Sequence, residues 1–280
     1  MLRIQLSALA LVSILAASTT HATNLNLSPV PLFLGGAVEP NIMFTLDDSG
    51  SMHWENMPDD NWTFFIYPRA NNVYGPSNYG NFVPVFSDIT YSVRIRSGDI
   101  NKVYYNPSTV YRPWSNATGI SMGDVDVTCA PHNPFDTAKG CRDLTVNNIE
   151  TANWETYNGD GTTFPGSVTT ESNVSKTFWP AVYYNYQGGD PWTVANYQKI
   201  EIMPATATYT TSASRTNCAT APICTYAEEI QNFANWYSYY RSRVLTARAG
   251  IGRAFANQGT NIRVGFAALN VGSRTIDGVT

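Results

Sequence analysis

Asn41-Ile42-Met43-Phe44-Thr45-Leu46-Asp47-Asp48-Ser49-Gly50-Ser51-Met52 is the stretch that decides the fold. An apolar run of strand character stops abruptly in small oxygen-bearing residues. A carboxylate and two hydroxyls stand at alternate positions, Asp47, Ser49 and Ser51, in the pattern D-x-S-x-S. A tight turn after the strand would let all three oxygens converge on one point. Hard, partly neutral oxygen ligands suit Mg²⁺, Mn²⁺ or Ca²⁺ rather than zinc. The competing reading is a plain Asp-Ser-Gly turn that needs no metal, since all three residue types favour turn geometry by themselves.

Working outward, Ile42 to Leu46 is nearly all apolar, the composition of a strand buried on both faces of a parallel sheet. The pattern turns helical at Thr225, which forms a capping box with Glu228 three positions on. Ile230, Phe233, Tyr237, Tyr240, Val244, Ala247, Ile251 and Phe255 then follow in steps of three and four, one stripe of a single long helix. Asn257 and Gly259 mark its end. Gly250 and Gly252 inside it each cost about 1 kcal/mol relative to alanine, and close packing against a sheet is the reading that accounts for them. Asn261 to Leu269 is a second strand candidate. Strand, helix and strand make a β-α-β unit, whose parallel strands need a crossover. His53 to Cys224 then becomes a long insertion at the edge that carries the Asp47 turn.

The bulk properties bound the class. At 280 residues the chain can hold one large or two ordinary domains. Hydrophobic residues at 43% and aromatics at 13% suffice for a core. Charged residues are 14% and the net charge is −4, against about a quarter charged in ordinary domains. Such a chain, rich in Tyr, Asn, Gly and Thr, reads as extracellular, and the lack of a basic patch argues against a nucleic-acid partner. Met1 to Ala22 reads as a secretory signal peptide: Arg3 supplies the positive start, Leu6 to Ala17 the apolar centre, and Thr20-His21-Ala22 the cleavage site. The apolar run falls short of the roughly 18 residues of a membrane-spanning helix. No later stretch is long and apolar enough to span.

Cys129, Cys141, Cys218 and Cys224 allow three pairings. Proximity favours Cys129–Cys141 and Cys218–Cys224, which an exported protein can form. Zinc is the weaker reading, because no C-x-x-C spacing occurs and only His53 and His132 accompany them after the signal peptide. His53 stands beside the metal turn and reads as a surface histidine before it reads as a ligand. Residues 23–40 form an extended, proline-interrupted leader. From His53 to Cys224, Gly, Pro, Asn, Tyr and Thr dominate, and alternating runs such as Tyr91-Ser92-Val93-Arg94-Ile95 suggest small strands between turns. Tyr104-Tyr105-Asn106-Pro107-Ser108 and Tyr111-Arg112-Pro113-Trp114 read as ordered loops. Their aromatics serve either as a sugar- or protein-binding surface or as core. Gly123-Asp124-Val125-Asp126 and Asn158-Gly159-Asp160-Gly161 have the composition of calcium-binding loops, but they fit no EF-hand loop and read first as surface turns.

The apolar strand running into D-D-S-G-S-M resembles the first segment of the metal-ion-dependent adhesion site in von Willebrand factor A domains. That resemblance implies a partial, Rossmann-type α/β domain with a large β- and loop-rich insertion. It also implies a divalent cation held by Asp47, Ser49 and Ser51 beyond the carboxyl end of a central strand, where open α/β sheets take their ligands. The organisation it implies is a signal peptide (1–22), a leader and first strand with the metal turn (23–52), the insertion (53–224), and the helix and second strand (225–280). A wider set of segments is similar to the amino-terminal region of PilY/PilC-type proteins, type IV pilus assembly factors and tip-associated adhesins. These are the stretch from Pro31 through Met52, Tyr105-Asn106-Pro107-Ser108-Thr109-Val110-Tyr111-Arg112-Pro113-Trp114, and Gln231-Asn232-Phe233-Ala234-Asn235-Trp236-Tyr237-Ser238-Tyr239-Tyr240-Arg241-Ser242-Arg243. The resemblance implies export to the periplasm, outer membrane or cell surface, with pilins, the pilus machinery and host or abiotic surfaces as partners. The threonine and aspartate that complete such metal sites find no match, Thr275 and Asp277 coming too soon. The chain therefore reads as a fragment that binds its cation weakly.

Two rivals belong to other classes. A metal-dependent phosphohydrolase would use a strand-ending aspartate as nucleophile, but Ser49 stands where the haloacid-dehalogenase D-x-D pattern needs its second aspartate. G-x-S-x-G is absent around Ser49 and Ser51, and histidines are scarce. No catalytic residue is assigned. The other rival is a secreted β-rich module whose aromatics bind glycan.

Overall fold

In the computed structural model the described residues are 39–57, 64–68, 73, 81–116, 119–159, 166–256 and 262–269. The signal peptide, the leader as far as residue 38, Asp160-Gly161, the helix end at Asn257 and Gly259, and Thr275 and Asp277 lie outside them. In chain order the elements are β1 (Asn41–Leu46), β2 (Phe82–Pro84), α1 (Thr90–Ile95), β3 (Ala130–Pro131), β4 (Cys141–Arg142), β5 (Asn148–Tyr157), β6 (Val168–Phe178), β7 (Val182–Tyr186), β8 (Tyr197–Glu201), β9 (Thr208–Thr210), β10 (Ile223–Thr225), α2 (Tyr226–Tyr239), α3 (Arg243–Ala256) and β11 (Arg263–Ala268). The architecture is mixed α/β, with several small sheets in place of one large one. β2, β5 and β6 form a three-stranded sheet, while β3–β4, β7–β8 and β9–β10 pair off separately.

β1 and β11 pair in parallel, in register from Asn41 opposite Arg263 to Leu46 opposite Ala268. The strand-helix-strand reading is thus realised in the chain. Burial of β1 on both faces is not. Met43 of β1 is 68% exposed and Phe266 of β11 57%, because the faces of a parallel sheet are covered by packed helices and this two-stranded sheet has little such cover among the described residues. Among the described residues α3 reaches it: the ring of Phe255 meets Phe44 edge-on at 5.9 Å.

The capping box at the start of α2 is present. The Thr225 hydroxyl accepts from the Glu228 amide, and the Glu228 carboxylate accepts from the Thr225 amide at 2.7 Å. The single long helix is corrected to two, broken at Tyr240–Ser242. The buried guanidinium of Arg241 pairs with Glu55 at 2.9 Å, and the Arg243 amide donates to the Trp54 carbonyl at 3.1 Å. Those bonds draw the backbone away from a straight helical path. The apolar stripe continues across the break, but its partners change. Ile230, Phe233, Tyr237, Tyr240 and Val244 are buried in the main core, whereas Ala247, Ile251 and Phe255 are half-buried.

α2 is the axis of that core, enclosed by the loops of residues 53–224. Trp236 donates its indole N–H to the Val103 carbonyl at 2.9 Å and packs on Tyr104 and Phe233 at ring separations of 4.7 and 4.9 Å. Tyr104, Tyr105 and Trp114 are therefore core residues. Tyr91 to Ile95 is a turn of helix, α1, and not a small strand. All five side chains are buried, so alternation along the sequence reports no face. Arg94 lies over the Trp192 ring at 3.8 Å and the Ser92 hydroxyl donates to the Val85 carbonyl at 2.7 Å. Both disulfides pair by proximity, Cys129–Cys141 and Cys218–Cys224.

Gly250 and Gly252 do not owe their place to close packing. A Cβ at either position meets no atom within 4 Å. Gly250→Ala and Gly252→Ala should each raise stability by up to about 1 kcal/mol, read as a higher denaturation midpoint.

His132 is buried with its Nδ1 2.8 Å from the Tyr237 hydroxyl. Burial, and then the charges of Arg241 and Arg142, push its pKa down to about 2. The unfolded chain, with a histidine near 6.5, takes up the proton first. Stability is therefore lost as pH falls below about 6.5, by up to ~1.4 kcal/mol per pH unit from this group. Denaturant unfolding at pH 7 and pH 5 should show a loss of about 2 kcal/mol that is missing in His132→Asn, whatever that variant's absolute stability.

Candidate metal-binding turn

The chain leaves β1 at Leu46 and bends at once. The Asp47 carboxylate accepts from the Ser49 amide at 2.8 Å, and the Ser49 hydroxyl lies 3.2 Å from that of Ser51. A single 3₁₀ turn, Gly50–His53, follows, with the Met52 amide donating to the Ser49 carbonyl at 3.0 Å and the Trp54 amide to the Ser51 carbonyl at 3.1 Å. Asp47, Ser49 and Ser51 thus share one short turn, linked by neighbouring contacts. The Ser49 amide, then its hydroxyl, hold the carboxyl of half-buried Asp47 below the usual carboxylate range, so it is ionised at neutral pH. The same bonds complete an Asx turn that is self-sufficient without a ligand.

The position agrees with the chemistry. The turn lies at the carboxyl end of a parallel strand, where the Leu269 amide donates to the Leu46 carbonyl at 3.0 Å and carries the pairing one residue further. Met52 packs on the main core, which ties the turn to the body of the protein. The oxygens suit a hard cation, though three ligands leave the shell of such an ion incomplete. Among the described residues no group of three or more His, Cys, Asp or Glu side chains assembles, at this turn or elsewhere. His53 is half-buried within the 3₁₀ turn. His132 is bonded to Tyr237 and sits in the field of Arg142 and Arg241, which repels a cation. Asp126 accepts from the Thr128 amide at 2.8 Å, and Asp124 from the side-chain amide of Asn235 at 2.8 Å.

Directly after the turn lies a group that the sequence did not single out. Trp54 stacks on Phe64 at 4.4 Å, and the guanidinium of Arg243 lies 4.9 Å from the Trp54 ring centre. Phe64 is 45% exposed. Arg243 arrives from the far end of the chain, and its bonds to Asn56, at 2.6 Å to the carbonyl and 3.1 Å to the side-chain oxygen, set its position. No spacing in the sequence announces that meeting.

Comparison with known proteins finds no matching family model and no matching solved structure. Curated relatives do match. The chain is 31% identical over 268 residues to the type IV pilus biogenesis factor PilY1 of Pseudomonas aeruginosa strain PAK, covering 93% of this chain and 18% of that protein. It is 31% identical over 259 residues to PilY1 of strain UCBPP-PA14, covering 92% of this chain and 18% of the relative. The chain thus spans about a fifth of the length of the curated relatives it matches.

Proposed function

Since this chain belongs to the PilY-type family of type IV pilus biogenesis factors, we propose that it serves pilus assembly and adhesion as a cation-dependent binding region. The reading is that Asp47, Ser49 and Ser51 hold Mg²⁺, Mn²⁺ or Ca²⁺ at the rim of a partial von Willebrand factor A-like domain. The observation that carries it is the linkage of these three side chains at the carboxyl end of β1, with α3 packed on the same strand through Phe255 and Phe44. When bound, the cation supplies an open coordination position for a carboxylate of a pilin or a surface ligand.

The chain's own residues prepare that event. Asp47 is kept anionic by the Ser49 amide and hydroxyl. The serines are neutral, so they leave much of the ion's charge for the incoming acid. Trp54 and Phe64 offer the ligand an aromatic surface just beyond the turn, with Arg243 beside them. Such a site binds and need not turn over a substrate. An exported, pilus-associated location accords with both disulfides and with the family. No described helix is long and apolar enough to cross a membrane.

Asp47→Ala should reduce EDTA-sensitive binding to background while the protein is still exported. Pilus number and surface attachment in the mutant strain give the readout. Wild-type levels of both would overturn the proposal.

A further inference from the structure

We propose that a second site, the cleft lined by Arg112, Trp114, Phe135, Tyr240, Arg248 and Arg253, binds an acidic sugar residue of a saccharide. Arg112 and Arg253 take the sugar carboxylate and the rings of the cleft take the apolar face of the pyranose. The cleft has a volume of about 390 Å³, within the range of small-ligand sites, roughly 300–1,000 Å³. Four segments build it: the loop around Arg112–Ser115, the loop carrying Phe135, Tyr240 at the helix break, and the exposed side of α3.

Charge is the first argument. The chain has 17 Lys and Arg against 21 Asp and Glu, yet three arginines and no described carboxylate line this cleft. In the interior, Arg142, Arg215 and Arg241 are each paired with a glutamate. Arg253 instead donates to the Tyr240 hydroxyl at 2.6 Å, a neutral acceptor that leaves the positive charge uncompensated. Neither Arg112 nor Arg253 has a carboxylate partner among the described residues.

Ring surface is the second. Phe135 is 64% exposed, packs on Trp114 at 5.2 Å and lies 5.6 Å below the Arg248 guanidinium. The Cys129–Cys141 disulfide closes the loop that carries it, so little ordering is needed on binding. Trp114 is buried, and its indole N–H has no acceptor among the described residues. A sugar acid matches this pairing of rings and arginines because its ring has an apolar C–H face with a carboxylate at the edge. A free phosphate has no use for the rings, and a net charge of −4 does not suit a nucleic acid. The neighbouring cleft of about 430 Å³, across Arg112 and Pro113, is the poorer candidate. The amides of Asn232 and Asn235 that line it are spent on the Tyr111 amide, the Thr109 carbonyl and Asp124.

The site shares no residue with the Asp47 turn, so its binding should survive EDTA and Asp47→Ala, and the two proposals fail separately. The test is calorimetric titration of the full chain, in EDTA, with oligogalacturonate, a neutral galacto-oligosaccharide and a poly-glutamate peptide. Expected is binding of oligogalacturonate alone, weakened by added salt. Arg112→Gln and Arg253→Gln should each lower affinity about tenfold, the loss of one charge-assisted contact, and Phe135→Ala should lower it as well. All three residues are exposed, so thermal midpoints near that of the parent are expected. Oligogalacturonate failing to bind, the neutral sugar binding equally, or affinity undiminished in all three variants would overturn the proposal. Equal binding of poly-glutamate would also overturn it and reassign the cleft to acidic peptides.

Discussion

The ion pair between Glu55 and Arg241 joins positions 186 apart in sequence, and the rest of the structure is arranged around it. Both side chains are almost wholly buried. Taking two charges out of water costs several kcal/mol each, and further hydrogen bonds to both groups offset that cost. Glu55 also accepts from the Ile66 and Tyr67 amides at 2.8 and 3.4 Å. Arg241 also donates to the Tyr237 and His132 carbonyls. One partner follows the Asp47 turn by a few residues, and the other stands where the helix breaks. A single buried contact therefore sets both the mooring of the turn and the direction of α3 toward β1.

Around that pair the interior is made of rings more than of aliphatic chains. Tyrosine buries a large surface but brings a hydroxyl that must find a partner. Here the hydroxyls do: Tyr104 donates to the Val182 carbonyl at 2.6 Å, Tyr67 to that of Pro180 at 2.9 Å, and Tyr105 to Glu229 at 2.7 Å. Burial lifts the pKa of all three well above the ordinary range, so they remain protonated and act as donors. The loops of residues 53–224 are stitched to α2 by directional bonds as well as by packing. That gives segments poor in regular structure the fixed geometry a binding surface requires.

The features legible in the sequence were those with local causes. The capping box needs two residues three apart, β1 and β11 announce themselves by apolar runs, and each disulfide joins near neighbours. The Asp47-Ser49-Ser51 turn was legible for the same reason. The helix break was not, because Arg241 and Arg243 are held by Glu55, Trp54 and Asn56, and periodicity carries no trace of such distant partners. Nor was α1, where burial on every side erased the pattern that distinguishes strand from helix. The exposure of β1 was missed because an apolar run reports what a strand is suited to, not what covers it. The aromatic group at Trp54 and the cleft at Phe135 each draw on separate segments, so no motif could have revealed them.

The β1–β11 ribbon leaves Met43, Val264, Phe266 and Leu269 open to water. On its outer edges no described strand takes up the peptide groups. Natural sheets seldom leave such an edge unguarded. Two strands already aligned in register are a template: a third joins without having to nucleate the sheet. The apolar side chains stand on both faces of the ribbon, Met43 on one and Phe266 with Phe44 on the other, so a growing sheet would extend two apolar surfaces at once.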